Sequence, residues 1–296
     1  MSQKIGMIGI GMMGHGIASN LVKHGHQLQV LEHEGNQPLD SLLAAGATTV
    51  QTPAQLAKGN DIIILCVTGS PQVEAVLMGD QGVLTALKKG TILIDCSTAI
   101  PSSTQKIAQK VIQAGGRFLD APMTRTPKEA AQGRLNLLVG GDEDLFKECL
   151  PILECFAENI THTGLVGDGH RMKLLHNYVS LGFIALLSEA AACARRSGID
   201  SSVLVDVLSK GGGGSAALER LKPYLLSGDH SALKFAMSNA QKDLDYYCAM
   251  AADAGAVHHI SDAVLSTYAD GVSVAGAQAG VLELTNVLAT AQTQSA

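Results

Sequence analysis

The stretch Lys4-Ile5-Gly6-Met7-Ile8-Gly9-Ile10-Gly11-Met12-Met13-Gly14-His15-Gly16 decides how the first half of the chain is read. Its apolar opening predicts a buried strand over Lys4–Ile10, and the residues that follow predict a helix over Met12–His24. The G-x-G-x-x-G triplet lies at the junction. Gly9 permits a tight turn, Gly11 lets backbone approach a pyrophosphate, and Gly14 lets helix and strand pack closely. The helix start would turn its unpaired N–H groups towards phosphate. On this reading Gly9, Gly11, Met12, Met13 and Gly14 form the cofactor cradle; a plain βα turn is the alternative.

The next apolar run, Gln27–Leu31, predicts a second strand that ends at Glu32, 18 residues beyond Gly14 (32 − 14). A carboxylate there suits the adenosine ribose hydroxyls. It would repel a 2′-phosphate, and Glu32-His33-Glu34-Gly35 contains no Arg to offset it. NAD is therefore expected over NADP.

Further strands are expected over Asp61–Val67 and Thr91–Asp95, separated by helices such as Pro71–Met78 and Pro101–Ala114. Continuous Ile/Val/Leu runs alternating with helices indicate a doubly wound α/β Rossmann sheet. Val67, Thr68 and Thr98 follow the carboxyl ends of these strands, where such sheets bind ligands, so they join the cofactor set. Beyond about Gly164 the strand signals stop. A long interdomain helix is expected over residues 168–197, its His170–Ser197 stretch about 40 Å long at ~1.5 Å per residue. Helices follow near Ser201–Ser209, Ala216–Leu226, Leu233–Ala254 and Ile260–Ala269. The expected domains are residues 1–163, which bind NAD(P), and residues 164–296, an all-α substrate and dimerisation domain.

Composition narrows the function classes. Hydrophobic residues make up 46%, enough for two cores, while the net charge of −6 and the absence of a basic run argue against nucleic acid. The six cysteines form no CxxC pair and suit reduced thiols in the cytoplasm. His24-Gly25-His26 lacks accompanying ligands, so no metal is expected. No signal peptide is visible, and Leu181–Ala194 reads as too short to span a bilayer.

Several motifs resemble the β-hydroxyacid dehydrogenases, which include 3-hydroxyisobutyrate dehydrogenase. Beside the glycine triplet they are Asp120-Ala-Pro-Met-Thr-Arg-Thr126, Gly133-x-Leu135 with Val139-Gly-Gly141, Gly167-x-Gly169-x-x-x-Lys173-x-x-x-Asn177, and Lys242-Asp243-Leu244. They run in the family's order from Ile5 to about Ala249. The resemblance implies a Rossmann domain, a long helix and a helical domain. It also implies a catalytic Lys173 with Asn177 beside the reacting oxygen. Independently of it, i and i+4 share one helix face, and a desolvated lysine serves as acid and base.

The chain departs from the family pattern in one telling place. Where the family commonly has Asp-x-Pro-Val-Ser-Gly-Gly, Thr124 takes the serine position and Arg125 a glycine position. Arg125 offers a planar charged fork to an anion. In this it resembles the sulfolactaldehyde reductase branch, so carboxylate and sulfonate both stand as candidate anions. Thr124, Arg125, Thr126 and Lys242 are the expected substrate contacts, and the resemblance also places Lys242 near the cofactor. His176, where the family often has Asn, is read as a packing variant. Gly211–Gly214 is either a mobile lid or an interhelical turn.

The expected activity is NAD-dependent hydride transfer with a small anionic 3-hydroxy acid or its semialdehyde. A non-catalytic dinucleotide-sensing scaffold is the alternative of another class. An imine reductase is disfavoured by Lys173. The Ala-rich helices suggest a homodimer or homotetramer.

Overall fold

Period-two side-chain alternation divides the central strands between two cores. Ile5 and Met7, Ile62 and Ile64, Ile92 and Ile94 enter one core together with Ile17 and Leu21. Their neighbours Ile8, Ile63, Leu65 and Leu93 enter a second with Val73, Leu77 and Ile107. A strand apolar at every position is thus buried on both faces, at about 1.5–3 kcal/mol per large side chain.

The computed structural model describes residues 2–291. Its strands are β1 Lys4–Ile8, β2 Gln27–Leu31, β3 Thr48–Val50, β4 Ile62–Leu65, β5 Ile92–Asp95, β6 Arg117–Asp120, β7 Met123–Thr124, β8 Leu135–Gly140 and β9 Ala157–Gly164. They form one sheet in the order β3-β2-β1-β4-β5-β6-β8-β7, with β9 paired to β8. The strands from β3 to β6 run parallel, whereas β8 is antiparallel to β6 and β7. Strand order reverses between β1 and β4, the switch point at which such sheets bind ligands.

The helices before Gly164 are α1 Met12–Lys23, α2 Asp40–Ala44, α3 Pro53–Gly59, α4 Ser70–Met78, α5 Pro101–Gln113, α6 Pro127–Ala131 and α7 Glu143–Leu153. After it come α8 Asp168–Arg196, α9 Ser201–Lys210, α10 Ala216–Ser227, α11 Met237–Asp253, α12 His259–Ala275 and α13 Leu284–Thr290. Residues 292–296 of the expected second domain lie outside the described residues.

The chain divides into two compact units, Met1–Lys173 and Leu174–Ala296. The division falls beyond the expected residue 163 because the first turns of α8 are bonded into the first unit, as described below. The second unit has its own core around Leu218, Leu221, Met237, Leu244, Tyr268 and Leu284.

Three readings of the sequence need correction. The helix expected from Leu233 starts at Met237, because Ala236 bridges Gly280 and Met237 N–H donates to Ala279 O at 2.8 Å. The helix expected to end at Ala269 runs on to Ala275; a Cβ on Gly271 would lie 2.8 Å from Met237 Sδ, so the glycine inside α12 permits close packing. The apolar stretch read as Leu181–Ala194 belongs to a 29-residue helix, α8, long and apolar enough to cross a membrane by length and composition alone. Half of its most apolar window is buried in the protein, as in the core helix of a folded domain.

Candidate active site

The glycine loop satisfies the steric demands of a nucleotide cradle. Gly9 has φ +95°, and a Cβ there would lie 2.3 Å from Cys66 O at the end of β4. A Cβ on Gly14 would sit 2.0 Å from Gly9 O. Around Gly11 a Cβ would meet nothing within 4 Å, so the space above the backbone is open. Gly11 is the N-cap of α1, and no side chain caps the helix. Open space and uncapped N–H donors together fit a pyrophosphate. Met13 packs against the core, whereas Met12 is exposed beside the cradle.

Glu32 lies just past β2, with its N–H donating to Val50 O at 2.9 Å. Hydrogen bonds from Thr49 and Gln51 hold its carboxyl below the usual range, so it is anionic. It lines a depression of about 480 Å³ with His33, Glu34, Asn36, Gln37, Leu39 and Gln51. That lining contains two acids and neither Lys nor Arg.

At the ends of β4 and β5, Ser97 joins the two loops expected to meet the cofactor. Its hydroxyl accepts from Val67 N–H at 3.0 Å, and its own N–H donates to Asp95 Oδ1 at 2.9 Å. Thr68 is exposed and Thr98 half-buried on these loops. Burial lifts the Cys96 thiol well above its ordinary range, which removes it as a nucleophile.

The segment expected to meet the substrate begins at β7. Thr124 is buried, and its Oγ1 accepts from Asn136 Nδ2 at 3.1 Å. Arg125 follows with φ +80°, a left-handed conformation that costs a side-chain-bearing residue about 1–2 kcal/mol. This is physical support for reading position 125 as a glycine position in the family. The Arg125 guanidinium donates to Arg134 O and to the Glu158 carboxylate. Thr126 donates through N–H (3.1 Å) and hydroxyl to Glu129, so its side chain starts α6. Asn20 of α1 donates to Ala130 O at 2.9 Å, which fixes α6 to the helix of the cofactor cradle.

Asp120, at the end of β6, anchors α8. Its buried carboxylate accepts from Gly167 N–H at 2.7 Å and His170 N–H at 2.9 Å, satisfying donors at the helix start. Burial raises its pKa, against the pull of the neighbouring His170 and these two N–H groups. His170 is itself fully buried. Its Nε2 donates to Ser97 O at 3.0 Å, and its Nδ1 lies 2.8 Å from Thr104 Oγ1. A Cβ on Gly169 would lie 2.4 Å from Leu138 O, so glycine is required for this docking. Lys173, half-buried, follows His170 by less than one turn.

In the second unit, Asn177 is buried and its Nδ2 donates to Asp243 Oδ2 at 2.6 Å. Lys242 Nζ lies 2.9 Å from Asp243 Oδ1 and 5.1 Å from the Tyr246 ring centroid. Asp243 therefore holds both residues that the sequence selected on this side. Gly211–Gly214 forms the turn between α9 and α10, closed by Gly214 N–H to Gly211 O at 3.2 Å.

The comparisons with known proteins bear on the family and the fold. Residues 4–164 match the NAD binding domain of 6-phosphogluconate dehydrogenase, and residues 167–288 match the NAD-binding family of NADP-dependent 3-hydroxyisobutyrate dehydrogenase. The 2-hydroxy-3-oxopropionate reductase of Escherichia coli (strain K12) is 38% identical over 216 residues, 73% of either chain. The chain belongs to the β-hydroxyacid dehydrogenase family. Another relative, the 2-(hydroxymethyl)glutarate dehydrogenase of Eubacterium barkeri, is 34% identical over 82% of this chain and 80% of its own. The fold is that of a Mycobacterium tuberculosis 3-hydroxyisobutyrate dehydrogenase solved with L-serine (TM-score 0.87, 24% identity, 97% of this chain and 99% of that one).

As a member of this family the chain is an NAD(P)-dependent oxidoreductase acting on CH–OH groups. Sequence reasoning did not assign the residues that hold the expected site residues in place: Asp120 beneath α8, His170 beside it, Glu158 on Arg125 and Asp243 on Asn177. Asp120 and Asp243 stand inside the quoted motifs, but nothing in the sequence says that their carboxylates are buried. Glu158 carries no motif at all.

Proposed function

We propose that this β-hydroxyacid dehydrogenase prefers NAD and interconverts a short anionic 3-hydroxy acid and its semialdehyde. The observation that carries the reading is the helix face of Lys173 and Asn177, one turn apart on α8, with the Asn177 amide oriented by Asp243. Asp243 takes one Nδ2 hydrogen, which leaves the other to donate to the substrate oxygen. Lys173 gives that oxygen a proton during reduction and removes it during oxidation, a role worth about 10²–10⁴-fold in rate. When bound, the nicotinamide supplies or accepts the hydride at the neighbouring carbon.

The NAD preference rests on anionic Glu32 and on a lining with neither Lys nor Arg for a 2′-phosphate. Gly9, Gly11, Met12 and Gly14 would hold the pyrophosphate, with Val67, Thr68 and Thr98 along the ribose. Thr124, Arg125 and Lys242 would hold the acid group. A second reading, a 3-sulfolactaldehyde reductase-type enzyme, is favoured by Arg125, whose fork suits a sulfonate as well as a carboxylate.

Reduced-nicotinamide absorbance with NAD and NADP, against short 3-hydroxy acids, their semialdehydes and a sulfonate, tests these readings. Turnover with NAD that vanishes in Lys173→Ala, while NADH binding survives, is expected. Full activity in Lys173→Ala would remove the lysine from the chemistry, and a preference for NADP would overturn the role of Glu32.

Two broader inferences accompany the chemistry. Six free thiols and similarity to a bacterial 2-hydroxy-3-oxopropionate reductase support a cytoplasmic location. Met172, Leu175, Val179, Phe183 and Leu186 leave an exposed apolar ridge along α8, which supports a homo-oligomer.

A further inference from the structure

Two local irregularities converge on one ion pair. Among the described residues, Arg125 is the single non-glycine residue with a left-handed backbone. Across the sheet, Leu135 pairs with Ala157 and Asn136 with Asn159, so Glu158 is the extra residue of a β-bulge. A bulge re-aims a side chain, and here the Glu158 carboxylate meets the Arg125 guanidinium. The other carboxylate oxygen accepts from Arg134 Nε at 3.2 Å. Hydrogen bonds from Arg125 and then Arg134 hold Glu158 below the usual carboxylate range.

We propose that Glu158 is a specificity-determining counter-ion, which holds Arg125 until the anionic group of the substrate displaces it. The inference rests on the reading of Arg125 as the substrate's anion contact. The cluster carries two cations and one anion, so a net positive charge remains to attract an acid. When Arg125 turns to the substrate, Glu158 keeps Arg134 as partner and is not left uncompensated. Arg125 is 26% exposed and Glu158 41%, so water weakens their pair and makes the exchange easy. A neutral analogue cannot displace the carboxylate. The pair therefore selects for anions by competition.

The test compares KM for 3-hydroxyisobutyrate, 2,3-dihydroxypropane-1-sulfonate and the uncharged amide of the former in four variants. Arg125→Gly removes the charge at a backbone position that suits glycine. It is expected to raise KM for the acids at least tenfold and to leave the amide unchanged. Glu158→Gln removes the ionic hold on Arg125 while its hydrogen bond to Arg134 O remains, so KM for the acids falls about two- to fivefold, the range of exposed ion pairs. Arg134→Ala leaves Glu158 with Arg125 alone and raises KM similarly. In Arg125→Gly/Glu158→Gln the effect of Glu158 disappears. A readout independent of turnover is the rate at which phenylglyoxal modifies Arg125, followed by mass spectrometry; it should rise several-fold in Glu158→Gln. Unchanged KM for the acids in Arg125→Gly overturns the underlying reading. A raised KM there, with Glu158→Gln showing wild-type KM and wild-type modification rate, overturns the counter-ion alone.

Discussion

Replacing Gly11 by Ala separates what the glycine loop does for folding from what it does for the cofactor. Gly11 has φ −76° and ψ −164°, a conformation alanine adopts readily, and its Cβ would meet nothing within 4 Å. Alanine is the poorer N-cap by several tenths of a kcal/mol, and the loss of glycine's unfolded-state freedom returns about 0.4–1 kcal/mol. The cofactor-free variant should melt within about 2 °C of wild type. In wild type, NADH at 100 times its Kd adds about 2.7 kcal/mol of stability. If the new methyl stands where the pyrophosphate must approach, affinity falls by ten- to a hundredfold. The same NADH then adds only about 0.4–1.4 kcal/mol, so about half to five-sixths of the ligand-induced rise in Tm is lost. Gly14→Ala is the contrast: its Cβ would sit 2.0 Å from Gly9 O, so it should lower Tm without any ligand. Thermal unfolding of both variants with and without NADH reads the difference. A Gly11→Ala protein that keeps the whole NADH-induced rise would refute close backbone approach at this position.

Asp243→Ala should leave the buried Asn177 amide without its acceptor, at about 1–3 kcal/mol, and reduce kcat more than tenfold; wild-type kcat would detach Asp243 from the chemistry. Asp120→Asn tests the anchor of α8, because an amide accepts one of the two N–H groups and turns its own donors towards the other. Burial raises the Asp120 pKa, so its contribution to stability is complete below the unfolded value near 4 and declines as pH rises through the folded value. The Tm gap between wild type and Asp120→Asn should thus narrow from pH 4 towards pH 7, and a gap that widened would reverse the sign. Phe183→Glu on the exposed ridge of α8 should yield a smaller species by size-exclusion chromatography with light scattering, while an unchanged mass would move the interface elsewhere.

How much was legible in the sequence follows from the range of the interactions involved. The Rossmann half was legible because its strands are continuous apolar runs and its glycine loop is governed by local sterics. Strands β1, β2, β4 and β5 were expected within two residues at each end. The strands β6 to β9 were not anticipated: β8 and β9 mix polar with apolar residues, and β9 is partly exposed, so no hydrophobic period marks it. Lys173 and Asn177 were singled out by the family resemblance, and their i, i+4 spacing places them on one helix face whatever surrounds them.

Their supports belong to tertiary structure. Asp120 meets the start of α8 from 50 residues away at His170, and Asn177 meets Asp243 across 66. Glu158 reaches Arg125 only through a bulge in β9. The sequence by itself determined which groups could carry the chemistry, because side-chain type and helical period are local properties. Only the tertiary structure decided which of them are held, and by what. A buried carboxylate becomes an anchor only when distant backbone and side-chain donors close around it.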